Sequence, residues 1–135
     1  MSHVWQVRVY YEDTDLAGIV YYANYLKFIE RARSEWVRAL GVDQGRMRAG
    51  TGVVFAVRRI EADYLAPARF DDVLTVLTQV REVGGARLVL AQDVLREGER
   101  LFASLVTLVA LGPAGRPVRL PADFRVRAAA QGAEN

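Results

Sequence analysis

Residues 24–40 read NYLKFIERARSEWVRAL, and they predict the element around which the rest of the chain folds. Mostly apolar side chains recur there at spacings of three and four, which is typical of a helix with one buried face. The members of this stripe are Leu26, Ile29, Arg33, Trp36, Val37 and Leu40. Gly41 is a favourable stop just beyond it, so we expect the helix to end there. Arg33 is also spaced to form an ion pair with Glu30 on the outer face.

The segments on either side of this helix alternate apolar and polar residues, as β-strands do. Trp5, Val7 and Val9 share one side of an N-terminal strand. Four further strands are predicted after the helix, at residues 52–68, 72–83, 86–97 and 100–111. The joints between these four are short and rich in glycine, proline and acidic residues. We therefore expect consecutive strands to pair antiparallel as hairpins.

The order of one strand, one long helix and four strands predicts an α+β fold. In this layout a curved, five-stranded antiparallel sheet covers a single helix. The chain has 135 residues, of which 52% are hydrophobic, so we expect residues 1–135 to form a single domain. A short C-terminal helix is predicted at residues 121–131. An open sheet leaves two long edges, so we expect a homodimer or homotetramer formed through an edge strand.

Composition argues against several classes of protein. The 18 basic residues are spread along the chain and the net charge is only +2, so we expect no nucleic-acid partner. The longest apolar run, residues 101–111, is half the length of a membrane span, and the first residues do not resemble a signal peptide. We therefore expect a cytoplasmic protein without membrane insertion.

The inventory of reactive side chains narrows the chemistry further. Cysteine is absent, and the single histidine, His3, lies at the N-terminus, so thiol nucleophiles and histidine-dependent triads are not expected. The serines lie outside any nucleophile-elbow motif, and no glycine-rich phosphate loop is present. An enzyme with this sequence, working without a bound metal or cofactor, would depend on Asp, Glu or Tyr.

Residues 11–25, YEDTDLAGIVYYANY, concentrate acidic side chains just before the helix, at Glu12, Asp13 and Asp15. One interpretation is a solvated turn in which Asp15 caps backbone amides. A second is a calcium loop, but Ala17 and Asn24 stand where two oxygen ligands would be required. A third interpretation is a carboxylate positioned for chemistry.

The residues after Asp15 favour the third interpretation. LAGIVYY would bury the segment, which a turn made only for solvent does not require. Gly18 permits a tight approach of the backbone, and the helix N-terminus that follows offers free amides. A carboxylate beside such amides is suited to a reaction that develops an oxyanion.

Two segments carry a resemblance to a known family. Residues 10–33, YYEDTDLAGIVYYANYLKFIERAR, and residues 55–76, FAVRRIEADYLAPARFDDVLTV, resemble the 4-hydroxybenzoyl-CoA thioesterase family, and particularly its YbgC-type acyl-CoA thioesterase branch. The likeness extends to about Leu111. It implies a hotdog fold, a five-stranded antiparallel sheet wrapped around one long helix, and hydrolysis of an acyl-CoA to free acid and CoA. Acyl-CoA binding without turnover, as in sensor proteins of this fold, is the alternative.

The resemblance also implies roles for particular residues. Asp15 matches the family's nucleophile or general base, and Gly18 the glycine of its turn. The backbone amide of Tyr22 matches the group that polarises the thioester carbonyl, and Tyr11 matches a tyrosine of the YbgC-type branch. YbgC-type sequences usually have histidine where Tyr22 stands, whereas the 4-hydroxybenzoyl-CoA enzymes have tyrosine, which leaves the acyl preference open.

The substrate would be held by further residues. Tyr21 and Tyr25 are candidates for the acyl pocket, as are Trp36 and Phe55, although aromatic residues at such spacing also fit a core. Asp63 and Tyr64 are not assigned to the site, although they could approach a neighbouring subunit. Arginines suit the phosphates of CoA. The candidates, on strands that hotdog dimers bring toward the partner's site, are Arg58, Arg59, Arg81 and Arg87.

Overall fold

The computed structural model describes residues 2–133. Its helices are α1 (Asn24–Ala39), α2 (Gln44–Thr51) and α3 (Ala122–Ala133). Its strands are β1 (His3–Arg8), β2 (Val54–Tyr64), β3 (Val73–Val83), β4 (Arg87–Arg96), β5 (Glu99–Leu111) and β6 (Pro117–Val118). No helix in this part of the chain has the length and apolarity needed to cross a membrane.

The five long strands form one antiparallel sheet in the order β1-β3-β4-β5-β2. The predicted α+β layout is confirmed, with the two-residue strand β6 added beside β5. Register shifts between Val57 and Arg59 and between Val80 and Glu82 interrupt the ladders. Shifts of this kind bend and twist strands, which helps a sheet to curve around a helix.

The hairpins β3–β4 and β4–β5 agree with the prediction, but β2 and β3 do not pair, so that part of the prediction was wrong. The connection between them, residues 65–72, crosses over the start of α1 instead of turning back. The main chain of Ala68 holds it there: its carbonyl accepts from the Val20 amide at 2.8 Å, and its amide donates to the Tyr25 hydroxyl at 3.0 Å. These bonds compete with a hairpin and place the connection beside the helix N-terminus.

Helix α1 packs against β1, β3 and β4 and forms the centre of the core. The buried face is rotated slightly from the predicted stripe, because Tyr25, Phe28 and Ala32 are buried while Leu26 is 37% exposed. Ile29, Trp36 and Val37 are buried as predicted. Aromatic residues at the start of the helix therefore displace Leu26 from the core.

Arg33 joins the helix to the sheet and does not form the predicted ion pair. Its guanidinium donates to Gln92 Oε1 at 3.0 Å. The amide nitrogen of Gln92 in turn donates to the Ile29 carbonyl and to the Thr78 hydroxyl, each at 2.9 Å. Partial burial lowers the pKa of Arg33, with the carboxylate of Glu30 opposing that shift. A buried polar network thus fixes α1 against β3 and β4.

The C-terminal helix α3 closes the other end of the core. Phe124 meets Trp36 edge-on at 5.9 Å between ring centroids and Phe55 at 4.6 Å. The Leu120 amide donates to the Gly85 carbonyl at 2.8 Å, which anchors the approach to α3. Trp36 and Phe55 therefore pack in the core at this end, which is the second of the two roles that their spacing allowed.

Substitution of Phe124 tests how much the docking of α3 contributes to stability. We expect Phe124→Ala to lower the free energy of unfolding by about 3–5 kcal/mol, because it removes a buried ring and leaves a cavity. Val126 is exposed on the same helix and provides the control. Val126→Ala should change the free energy of unfolding by less than about 0.5 kcal/mol. Chemical denaturation at one fixed protein concentration measures both. Equal losses for the two variants would show that α3 is not anchored by Phe124.

Candidate active site

A cleft of about 390 Å³ opens where three segments meet: the loop that follows the acidic residues, the start of α1 and the β2–β3 connection. Its walls are mostly apolar or aromatic, and one carboxylate lies among them. The lining residues are Asp15, Ile19, Val20, Tyr21, Tyr22, Tyr25, Tyr64, Leu65, Ala66 and Pro67. The predicted residues Asp15, Tyr21, Tyr22 and Tyr25 are thus brought together.

Asp15 lies on a tight turn and lines the cleft. The Gly18 amide donates to the Asp15 carbonyl, and the Asp15 amide donates to the Ile19 carbonyl, both at 2.9 Å. Gly18 has a φ of +78°, a left-handed conformation that glycine adopts without strain. One carboxylate oxygen of Asp15 accepts from the Ala17 amide at 2.9 Å, which orients the side chain and leaves the other oxygen available.

Asp13 has a different role from Asp15, because its side chain is buried and fully engaged. One oxygen accepts from the Tyr10 amide at 2.8 Å, and the other accepts from the side-chain amide of Asn24 at 3.0 Å. Its main-chain carbonyl accepts from the Tyr21 amide at 2.8 Å. Asp13 therefore ties the loop to the first residue of α1. The acidic cluster divides into a buried structural residue, Asp13, and two exposed residues, of which Asp15 lines the cleft and Glu12 does not.

The start of α1 supplies free backbone donors. No acceptor among residues 2–133 takes the amide hydrogen of Tyr22 or of Ala23. The N-cap residue, Ala23, has no side-chain acceptor to offer these amides. Unpaired amides and the positive end of the helix dipole meet here, an arrangement that favours a developing negative charge. Asp15 and Tyr22 line the same cleft.

Two tyrosines from different elements build the aromatic wall. Tyr25 is buried and stacks on Phe102 at 5.0 Å, and burial raises the pKa of Tyr25 while its bond to Ala68 opposes that shift. Tyr64 ends β2 and donates its hydroxyl hydrogen to the Tyr22 carbonyl at 2.8 Å. Sequence reasoning did not assign Tyr64 to the site. Its place just before the turn at Pro67 was the available signal.

An ion-pair network beside the cleft holds the Pro67 turn. Arg96 contacts Asp72 at 2.8 Å and Glu99 at 3.0 Å, and it approaches the Pro67 carbonyl at 3.4 Å. Burial would raise the pKa of Asp72, but the hydrogen bond from the Arg69 amide and the Arg96 guanidinium outweigh it and lower the pKa. Asp72 is therefore kept charged as the anchor of this wall.

The remaining predicted residues lie outside the cleft of their own chain. Tyr11 is exposed and meets Phe70 edge-on at 6.2 Å, so it borders the loop without lining the cleft. Arg58 and Arg81 are exposed. Arg59 forms an ion pair with Glu61, and Arg87 forms one with Glu82.

A search of protein-family models matches residues 17–103 to the Thioesterase superfamily. The chain belongs to this superfamily. Among curated members, acyl-CoA thioester hydrolase YbgC of Escherichia coli O157:H7 is 38% identical over 127 residues, covering 90% of this chain and 94% of that protein. Acyl-CoA thioesterase YbgC of Haemophilus influenzae is 40% identical, covering 88% of each chain. The predicted family resemblance is confirmed.

Solved thioesterase structures confirm the hotdog fold. A probable thioesterase from Bartonella henselae has a TM-score of 0.86 at 36% identity and covers 90% of this chain and 100% of its own. A mutant 4-hydroxybenzoyl-CoA thioesterase has a TM-score of 0.89 at 24% identity, covering 94% and 98% respectively. The second likeness concerns the fold alone.

Substitutions of the two aspartates in the loop should have different effects on the free energy of unfolding. We expect Asp13→Ala to lower the free energy of unfolding by about 1–3 kcal/mol, because the Tyr10 amide and the Asn24 side chain lose their acceptor. Asp15→Asn keeps an oxygen that accepts from the Ala17 amide, so this variant should change the free energy of unfolding by less than about 0.5 kcal/mol. Denaturant titration at matched protein concentration compares them. A greater loss for the Asp15 variant would contradict this division of roles.

Proposed function

We propose that this thioesterase-superfamily member hydrolyses acyl-CoA thioesters to free acids and CoA, with Asp15 as nucleophile or general base. One observation carries the proposal: Asp15 and Tyr22, whose amide has no acceptor among residues 2–133, line one cleft of mostly apolar walls. Relatives of 38–40% identity that carry the names acyl-CoA thioester hydrolase and acyl-CoA thioesterase support this substrate class.

The chemistry begins at the carbonyl carbon of the thioester. In the nucleophilic route a carboxylate oxygen of Asp15 bonds to that carbon, CoA leaves as the thiolate, and water hydrolyses the resulting mixed anhydride. In the general-base route Asp15 removes a proton from water as the water oxygen attacks. Both routes pass through a tetrahedral species whose oxygen carries negative charge.

The start of α1 is suited to that charge. The Tyr22 amide would donate to the tetrahedral oxygen, and the helix dipole would add to the stabilisation. A preorganised donor of this kind contributes roughly 3–4 kcal/mol to the transition state. The role belongs to the backbone, so a tyrosine at position 22 serves it as well as a histidine would.

Asp15→Asn tests this proposal directly. Thiol release should be measured with short-chain, long-chain and aromatic acyl-CoAs. We expect kcat to fall by at least about 100-fold on whichever substrate the wild type prefers. The substitution removes the charged carboxylate that acts as nucleophile or base and keeps the shape of the side chain. Glu12→Gln is the control, since Glu12 is exposed and does not line the cleft.

Unchanged kcat in the Asp15 variant would refute the assigned role. If the wild type released no thiol from any of these substrates but bound them, acyl-CoA binding without turnover would replace the proposal.

We also infer that two chains assemble through an edge strand. Strands β1 and β2 are the edges of the sheet, and β2 leaves eleven residues open on one side. Pairing or covering such an edge removes a row of unpaired backbone groups. In such a dimer the partner's arginines would approach the cleft and hold the phosphates of CoA. The candidates are Arg58, Arg59, Arg81 and Arg87.

Sedimentation velocity at micromolar concentrations tests the assembly. We expect a species of two or four chains and little dependence on dilution, because strand pairing over a long edge makes a stable interface. The same runs with Asp15→Asn serve as a control, since that substitution leaves the edges intact. A monomer would contradict both the interface and the contribution of the partner's arginines.

A further inference from the structure

Tyr64 contacts a carbonyl at the start of α1 that no backbone donor among residues 2–133 engages. Residues on either side of Tyr22 are held within the local turn: the Tyr21 amide donates to the Asp13 carbonyl, and the Asn24 amide donates to the Tyr21 carbonyl, both at 2.8 Å. The Tyr22 carbonyl receives no backbone hydrogen bond among residues 2–133. Its hydrogen bond comes from the Tyr64 hydroxyl, 42 residues away in sequence, at 2.8 Å.

The ring of Tyr64 is held by packing that does not involve its hydroxyl. It meets Phe102 at 5.1 Å, Tyr25 at 5.5 Å and Tyr22 at 6.3 Å, each close to edge-on. As the last residue of β2, Tyr64 also pairs with Phe102 of β5 through the backbone. Tyr64 therefore connects the end of a sheet strand to the link between the loop and α1.

The carbonyl of Tyr22 and its amide belong to adjacent peptide units. The bond from the Asn24 amide to the Tyr21 carbonyl restrains the peptide unit that carries the Tyr22 N–H, and the Tyr64 bond restrains the next peptide unit, so Tyr22 is held on both sides. We propose that Tyr64 is a positioning residue for catalysis: its hydroxyl holds the Tyr22 carbonyl so that the Tyr22 amide faces the reacting carbonyl oxygen. This inference rests on the proposed thioester hydrolysis.

Charge and proton state suit this role. Partial burial raises the pKa of Tyr64, with Tyr22 and Tyr25 adding to the shift, so the hydroxyl stays protonated and remains a donor at neutral pH. The bond is exposed on one side, so water can replace the hydroxyl as donor to the carbonyl without a large loss of stability. A water molecule would not fix the direction of the Tyr22 carbonyl as the Tyr64 hydroxyl does. Small errors in the placement of a donor reduce catalytic rates strongly.

Tyr64→Phe removes the hydroxyl and keeps the ring. We expect kcat to fall about tenfold, less than the roughly 100-fold or greater loss that follows removal of an oxyanion donor. KM should stay within about twofold, since an interaction made only in the transition state acts on kcat. The melting temperature should stay within about 3 °C of the wild type. Tyr10→Phe, which removes an exposed hydroxyl away from the cleft, should leave kcat unchanged.

The outcomes separate this inference from the function on which it rests. If the wild type is active and Asp15→Asn is not, an unchanged kcat in Tyr64→Phe overturns the positioning role alone. A rise in KM without loss of kcat also overturns it, since the hydroxyl would then be a substrate contact. A large fall in melting temperature together with kcat would show a structural role instead. Failure of the wild type to release thiol would refute the proposed function itself.

Discussion

Burial of one face of α1 inside an antiparallel sheet is the constraint on which the rest of the structure depends. The chain has one long amphipathic helix, so the sheet must curve around it, and α3 closes the end near Trp36. The opposite end begins with uncapped amides. At that end the core gives way to a cleft, and the first N–H groups of a helix have no intrahelical partners there. Fold and site are therefore consequences of the same packing.

The site uses the two aspartates of one loop in different ways. Asp13 satisfies groups that would otherwise be buried without partners, and so it places the loop against the helix. Asp15, two residues later on a turn closed by Gly18, keeps an oxygen free at the cleft. In the sequence they are near neighbours of the same residue type. Burial distinguishes them, and burial depends on the helix against which the loop packs.

Contributions from distant segments complete the cleft. The β2–β3 connection was expected to form a hairpin, because a proline and acidic residues at such a joint are typical of one. Instead it crosses from the edge strand β2 to β3, which lies beside the opposite edge strand β1, and it is held by Ala68 and by the contacts of Arg96. That crossing brings Tyr64 and Pro67 to the start of α1. A local pattern carries no information about a partner that lies 42 residues away.

The sequence by itself determined the periodic elements and the acidic loop. Apolar spacing predicts α1 and the long strands, and the acids before Gly18 mark the turn that presents Asp15, because these signals arise from neighbours along the chain. Only the tertiary structure decided the strand order, the exact buried face of α1, the pairing of Arg33 with Gln92 and the position of Tyr64. Each of those depends on which surfaces meet in space, and competing contacts of similar local energy are resolved only when the whole core is packed.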